Sequence, residues 1–297
     1  MNVAGTGDRV AQGARTGRSS ARLVLGTRLR VLREAAGIAT EDAGSAIRGS
    51  RSKISRLELG RTGSKTRDIE DLLTLYGVDD EAERATIFEL ARVANADGWW
   101  QEYADVVPGW LEQYLDMERA ARLVRAYEVR YIPGLLQTGD YARALLRFLY
   151  PKATEAEVGR RVELRLRRQE ILAGENPTSL WAMLDEAALL RPVGGTAVMR
   201  GQIAHLIEIS GRPHVSVQVL PFTVGGHPAG GGGFTMLRFS ESELPDVVYL
   251  EQMRTAVYLS GPDHSAHYRD VLNRLTTQAG SIGATRATLE RVLAATT

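Results

Sequence analysis

A short basic segment, RSKISRLELG at residues 51–60, carries hydrogen-bonding side chains at helical spacing. Arg51, Ser52 and Arg56 are of the types that read base edges in the major groove, where an arginine fork donates two hydrogen bonds to guanine. Lys53 and Ser55 suit phosphate oxygens, contacts that position a protein on DNA without specifying sequence. The chemistry that this spacing favours is therefore non-covalent recognition of double-stranded DNA.

Two short helices joined by a sharp turn are predicted over residues 38–60, and they would position these side chains. Ser50 is the expected side-chain cap of the second helix, which should run from Arg51 to about Leu59. Apolar residues recur on one face of each helix: Ala43, Ala46 and Ile47 in the first, and Ile54 and Leu57 in the second. The second helix thus has an apolar underside and a basic exposed face.

The loop after this helix continues the basic pattern. Arg61, Lys65 and Thr66 are predicted to contact the DNA backbone, and Thr66 is also the expected cap of the next helix. Five short helices are predicted to form a first domain over residues 23–95. Residues 1–22 are rich in Gly, Ala, Ser, Thr and Arg, a composition typical of a disordered arm.

The order Ser50, Ile54, Ser55, Leu57 and Glu58 within SRSKISRLELGR resembles the second half of an Xre-type, phage-repressor-like helix-turn-helix. Two positions depart from that pattern. The usual turn glycine is Arg48 here, with Gly49 one residue later, and the usual Thr-Gln of the first helix reads Ala39-Thr40. The resemblance implies that residues 51–59 form a recognition helix in the major groove.

Composition and charge agree with this interpretation. Residues 1–67 contain fourteen Lys and Arg against five Asp and Glu, whereas residues 68–118 contain two against fourteen. A basic segment followed by an acidic one is what a DNA-binding domain attached to a body kept away from phosphates should show. The absence of cysteine excludes disulfides and thiolate sites. No apolar run is long enough to cross a membrane, so we expect a cytoplasmic protein.

A second domain of the α+β class with a largely antiparallel sheet is predicted over residues 96–297. From Ser179 the pattern changes to short runs rich in Val, Leu, Phe and Tyr between Gly and Pro residues. The loops after residue 215 are too short for crossover helices, which favours antiparallel pairing there. The expected strands are 180–184, 215–220, 234–239, 247–250 and 256–259.

The second part of the chain carries a series of short motifs in a fixed order: GWW, PGW, YE, PGLLQT, DYARALL, and later WAMLDEAALLRPVGG, VSVQVLPF, FTMLRF and DVVYLE. This order resembles the C-terminal effector domain of actinobacterial Xre-type regulators of the WhiJ-like group. With the helix-turn-helix, the resemblance spans roughly Leu25 to Leu293. It implies transcriptional control, in many members with a small co-encoded partner protein and in some with an antitoxin-like relation to it. It brings no catalytic residues.

Residues that could carry other chemistry give weaker signals. The candidates are the five histidines and the acids Asp185, Glu186 and Glu251. No nucleophile accompanies them, and their spacing is not that of metal ligands. We therefore expect no enzymatic activity, cofactor or metal. The basic helix predicted near residues 155–172 should place its arginines in solvent rather than on DNA. Two interpretations of the glycine-rich loop 225–233 are a lid over a pocket and a long hairpin connection, and we favour the connection.

The sequence therefore predicts a sequence-specific DNA-binding transcription regulator, a homodimer whose second domain binds a partner protein or an unknown small ligand. Two recognition helices about one DNA turn apart would read a near-palindromic site. The alternative is an antitoxin-like binding partner of a small co-encoded protein, with DNA binding serving autoregulation.

Overall fold

The computed structural model describes residues 18–241 and 244–296 of the chain. It divides into two compact units. Of the described residues, the helical domain comprises 18–101 together with 241 and 244, and the sheet domain comprises 102–240 and 245–296. The boundary that the sequence suggested, after residue 95, lies slightly earlier.

The helical domain contains five α-helices among its described residues: α1 Arg18–Ala35, α2 Thr40–Ala46, α3 Arg51–Glu58, α4 Thr66–Leu75 and α5 Glu81–Ala94. Helix α1 begins at Arg18, so residues 18–22 are helical and do not belong to a disordered arm. The remainder of that predicted arm, residues 1–17, lies outside the described residues.

One apolar core unites the five helices. Leu25 and Leu29 of α1 pack with Ile54 and Leu57 of α3, and the other large buried residues come from α4 and α5: Ile69, Leu72, Leu73 and Ile87. Helix α1 approaches the end of α3 so closely at Gly26 that a Cβ there would lie 2.5 Å from the carbonyl oxygen of Leu57. The small residue therefore allows the backbones of α1 and α3 to pack directly together.

The sheet domain alternates helices and strands. Its α-helices are α6 Gly109–Ala120, α7 Gly139–Leu149, α8 Glu155–Arg168, α9 Glu186–Leu190, α10 Thr196–Ile209, α11 Pro262–Gln278 and α12 Ile282–Ala295. Its strands are β1 Leu123–Glu128, β2 Ser179–Asp185, β3 Val215–Leu220, β4 Phe234–Arg238, β5 Val247–Glu251 and β6 Ala256–Leu259. No described helix of either domain has the length and apolar character that crossing a bilayer requires.

The sheet is mixed, and the prediction of a largely antiparallel sheet was wrong. The strand order is β3-β2-β1-β4-β5-β6. Strands β1, β2 and β3 pair in parallel, with Leu123 opposite Ser179 and Leu180 opposite Val215. Strand β4 then pairs antiparallel with β1, and β5 and β6 continue antiparallel.

The connections explain this arrangement. Helices α7 and α8 connect β1 to β2, and α9 and α10 connect β2 to β3, so each pair forms a β-α-β unit whose strands run in the same direction. The sequence predicted no strand over residues 123–128 and therefore missed the first of these units. It was right that the strands after β3 are joined by short loops, and those strands are antiparallel.

The glycine-rich loop is not a hairpin connection, because β3 and β4 are separated in the sheet by β2 and β1. The chain leaves the end of β3 and reaches β4, whose first residue, Phe234, lies opposite Tyr127 at the end of β1. On the way, Nε2 of His227 lies 3.3 Å from the Tyr127 hydroxyl. The loop therefore follows the carboxyl ends of the parallel strands.

Helices cover both faces of the sheet. On one face, Val271, Leu272 and Leu275 of α11 pack in a buried cluster with side chains that include Tyr127 and Met236. On the other face, the ring of Tyr114 in α6 lies 4.1 Å from the ring of Tyr249 in β5. A sheet covered on both faces explains why its central strands are almost continuously apolar.

Candidate nucleic-acid interface

The turn between α2 and α3 has the tight geometry that the spacing predicted. The Ser50 side chain accepts a hydrogen bond from the backbone N–H of Lys53 and so caps α3. Arg48 has φ 51°, the left-handed conformation that usually falls to glycine. A Cβ on Gly44 would lie 2.9 Å from the Ser50 carbonyl carbon. Gly44 therefore lets α2 and the start of α3 approach closely.

A buried ion pair fixes the far end of α3 against α1. Nε of Arg33 donates to Oε1 of Glu58 at 2.6 Å, and Nη2 donates to Oε2 at 3.1 Å. Nη1 of Arg33 also donates to the carbonyl oxygen of Ile38. The bond to Glu58 raises the pKa of the Arg33 guanidinium. Because both side chains are about nine-tenths buried, the pair holds α3 in one orientation.

The outward face of α3 carries the residues predicted to read bases. Arg51, Ser52, Ser55 and Arg56 are all exposed, whereas Ile54 and Leu57 are buried. A guanidinium nitrogen of Arg51 lies 3.1 Å from Glu41 in an exposed pair, which is a weak interaction that DNA can displace. The guanidinium of Arg56 has no hydrogen bond or ion pair within the described part of the chain. It is therefore available to a ligand.

Lys53 occupies a different environment from its neighbours on α3. Its ammonium lies 2.6 Å from Oδ2 of Asp68, a buried carboxylate in the first turn of α4. The lysine thus links α3 to α4. A phosphate contact by Lys53 would have to compete with, or share, this ion pair.

The remaining residues predicted to contact phosphate lie around the loop between α3 and α4. Arg61, Lys65 and Thr66 are all exposed. Thr66 is the first residue of α4 and makes no capping bond, so its predicted role as cap was wrong, and Lys65 occupies the cap position. The Asn95 amide clamps this loop, with Nδ2 donating to the Ser64 carbonyl at 2.6 Å.

Sequence reasoning missed a second basic feature beside the turn. Arg48 and Arg67 are both exposed, and their guanidinium nitrogens lie 3.8 and 4.0 Å from the same oxygen of Asp71. Asp71 therefore draws together an arginine of the α2–α3 turn and one of α4. Arg67 and Asp71 are four residues apart in one helix, and this spacing could have predicted their ion pair from the sequence.

The sheet domain contains an apolar groove of about 410 Å³. Its walls come from α9, α10 and α12 and include Leu189, Leu190, Met199 and Val292. Leu190 is exposed.

Two families match this chain. Residues 24–87 match the family described as a helix-turn-helix domain, and they include all of α2, α3 and α4. Residues 111–291, more than half of the chain, match the family described as a domain of unknown function, DUF5753. The chain belongs to the DUF5753 family. Neither the curated proteins nor the solved structures include one with significant similarity to it.

The helix-turn-helix match agrees with the geometry of α2 and α3 and supports a DNA-binding regulator in general terms. The DUF5753 match covers most of the sheet domain and carries no function of its own. In this DUF5753 protein, the helix-turn-helix therefore bears the functional assignment, and the sheet domain has to be interpreted from its own side chains.

Proposed function

We propose that this DUF5753 protein is a sequence-specific, Xre-type transcription regulator whose α3 enters the major groove of its operator. The observation that carries the proposal is the exposed face of α3, with Arg51, Ser52 and Arg56 outward and Arg56 without an ion pair in the described chain. Arg51, Ser52 and Arg56 read base edges, and Lys53, Ser55, Arg61, Lys65 and Thr66 contact phosphates.

The rigidity of α3 supports this assignment. A recognition helix must keep its orientation while its side chains bind, and the Arg33–Glu58 pair anchors its last turn. At its first turn, Ser50 caps the helix and leaves the side chains of Arg51 and Ser52 exposed. The WhiJ-like resemblance of the sheet domain supports the regulatory role, in which that domain dimerises the protein and binds a partner or ligand.

Dimerisation through the sheet domain would place two α3 helices on one face of the DNA. A two-fold dimer reads two half-sites separated by about one helical turn, so the operator should be nearly palindromic. This spacing can be measured as the distance between two protected stretches in a footprint.

The base-reading role is tested by Arg56→Ala, with Arg92→Ala as the matched control. Arg92 is an exposed arginine on α5 that pairs with Glu89 of its own helix. Affinity is measured for the chain's own upstream DNA and for random DNA at ~150 mM salt, where phosphate contacts alone are weak. Arg56→Ala should cost about 1 to 3 kcal/mol on the specific DNA and little on random DNA. Equal losses on both would overturn the assignment.

The phosphate role is tested by Lys65→Ala on the same two duplexes. Because a phosphate contact is independent of sequence, affinity should fall by the same factor on both. The slope of log affinity against log salt should decrease by about one. A loss confined to the specific DNA would instead make Lys65 a base-reading residue.

The antitoxin-like alternative stays a prediction. It requires that a small protein co-purify with the chain and change its affinity for the operator. Measuring operator affinity with and without such a protein separates the two functions, since a regulator that acts alone should show the same affinity in both samples.

A further inference from the structure

Strand β1 of the sheet domain contains a buried arginine that has no carboxylate partner among the residues that the structure describes. Arg125 is 7 % exposed. Its Nη1 donates to the side-chain oxygen of Asn273 in α11 at 3.1 Å, and its Nε is buried without an acceptor in the described chain. A buried guanidinium normally needs a charged partner, because removal from water disfavours the charged form.

Another arginine of the same domain, Arg168, does have a buried carboxylate partner. Arg168 of α8 donates from Nε and Nη2 to both oxygens of Glu118, at 2.8 and 2.9 Å, and Glu118 is only 1 % exposed. The pair has no net charge, and both carboxylate oxygens accept a hydrogen bond from Arg168. Arg125 has no such counterpart, so its charge is not explained by the interior of the domain.

More positive charge lies beside Arg125. Arg238 of β4 is on the same face of the sheet, since its partner in the register is Leu123, two residues before Arg125. Arg269 and Asn273 lie one turn apart on α11, and Asn273 bonds Arg125. Burial, and then the charges of Arg238 and Arg269, lower the pKa of the Arg125 guanidinium.

Among the described residues one carboxylate, Asp246, lies beside these arginines, and it pairs with Arg238 and Arg269 but not with Arg125. Asp246 accepts bonds from Nε and Nη2 of Arg238 at 2.9 and 2.8 Å, and it lies 3.8 Å from Arg269. Counted over the residues that the structure describes, three guanidinium groups against one carboxylate leave an excess of two positive charges. We call these four residues, with Asn273 and Trp181, the Arg125 cluster.

Trp181 gives the cluster a shape. The centroid of the Trp181 ring lies 4.7 Å from Cζ of Arg125. The indole Nε1 donates to Oε1 of Gln218 at 2.7 Å. The indole therefore covers one face of the Arg125 guanidinium, so that an anion has to approach its edge. Arg238 and Arg269 are each partly exposed and form the open side of the cluster.

We propose that the Arg125 cluster binds a phosphate dianion, either free phosphate or the phosphate group of a small monoester. A dianion balances the excess of two charges, and the planar guanidinium donors of Arg125, Arg238 and Arg269 match phosphate oxygens. Asn273 and Trp181 hold Arg125 in place. The sheet domain would thereby acquire an effector of defined charge, a property beyond the DNA binding proposed for the helical domain.

The test is calorimetric titration of the full chain without DNA, using inorganic phosphate at about pH 8, where phosphate is mostly dianionic. Sodium chloride and sodium acetate at the same ionic strength are the reference anions. Phosphate should bind at one saturable site, and the reference anions should not. Phosphate binding no tighter than acetate would overturn the proposal.

Variants locate the site. Arg269→Gln changes an exposed residue that is not part of the core, and it should weaken phosphate binding by about tenfold or more, as expected for loss of one charged hydrogen bond. Arg274→Gln alters an exposed arginine of the same helix and should leave binding unchanged. Equal losses in these two variants would contradict the assignment.

Two further arms distinguish the source of the phosphate and the domain that binds it. Glycerol phosphate that binds as tightly as inorganic phosphate identifies a monoester site, whereas binding of inorganic phosphate alone identifies a site for the free ion. Arg56→Ala should retain phosphate binding. Its loss in that variant would place the phosphate on α3 and overturn this inference, while leaving the DNA-binding proposal intact.

Discussion

Buried charges are handled differently in the α1–α3 contact of the helical domain and in strand β1 of the sheet domain. In the first, Arg33 and Glu58 satisfy each other with two hydrogen bonds. In the second, Arg125 lacks a carboxylate and Glu128 lacks an ion pair in the described chain. An ion pair between two buried side chains fixes a helix in place. Burying a charged side chain without an opposite charge is costly, and such a side chain is therefore a candidate for ligand binding.

The largest effect is expected where the matched pair is broken. Arg33→Ala leaves Glu58 buried without its partner and should lower the free energy of unfolding of the helical domain by about 3 to 5 kcal/mol. Urea denaturation measures this loss. The double variant Arg33→Met with Glu58→Leu should recover most of it, because no charge remains buried. Full loss in the double variant would show that packing, and not charge, is responsible.

The matched control for this comparison is Arg30→Ala on the same helix. Arg30 pairs with Glu34 at 2.8 Å, but both side chains are more than half exposed. Solvent screens such a pair, so the variant should cost less than about 1 kcal/mol. A cost as large as that of Arg33→Ala would remove burial as the explanation.

A pH-dependent effect is expected from Glu128. Burial, and then the charge of Glu251, raise the pKa of the Glu128 carboxyl to about 7 from an ordinary 4.5. The folded chain then binds more protons than the unfolded chain between these values, so stability falls as pH rises from about 4.5 to 7. Glu128→Gln should reduce that decline in a series of urea titrations. Glu163→Gln, on an exposed face of α8, should leave the decline unchanged.

The smallest effect is expected where the unmatched arginine is removed. Arg125→Met loses the bond to Asn273 but also relieves a buried charge, and the two contributions oppose each other. The free energy of unfolding should stay within about 1 kcal/mol of the native value. A loss as large as that of Arg33→Ala would mean that Arg125 is a structural residue, and it would weaken the case for a phosphate site.

The helical domain could be predicted from the sequence because its signals are local. Apolar spacing predicted α3, and Ser50 was correctly identified as its cap. Gly26 and Arg33 could not be recognised, since their importance depends on contacts with α3 more than twenty residues away. A lone glycine or arginine in a helix carries no mark of such a contact.

The sheet domain was less predictable because strand order is set by distant pairings. Short loops after β3 indicated antiparallel pairing, but only the structure shows that β4 pairs with β1 and not with β3. The arginines of α8 were expected in solvent. Instead, Arg168 is bound to the buried Glu118, and Nη1 of Arg165 donates to Oε1 of Gln137. Charge pattern alone does not reveal a buried carboxylate on another helix.

The central claim, that α3 reads bases, is tested most directly by selecting bound duplexes from a randomised pool with the native chain and with Arg56→Ala. The native chain should enrich one discrete, nearly palindromic motif. The variant should lose preference at one base pair of each half-site and keep the remainder of the motif. An unchanged motif in the variant, or no enriched motif with the native chain, would contradict the claim.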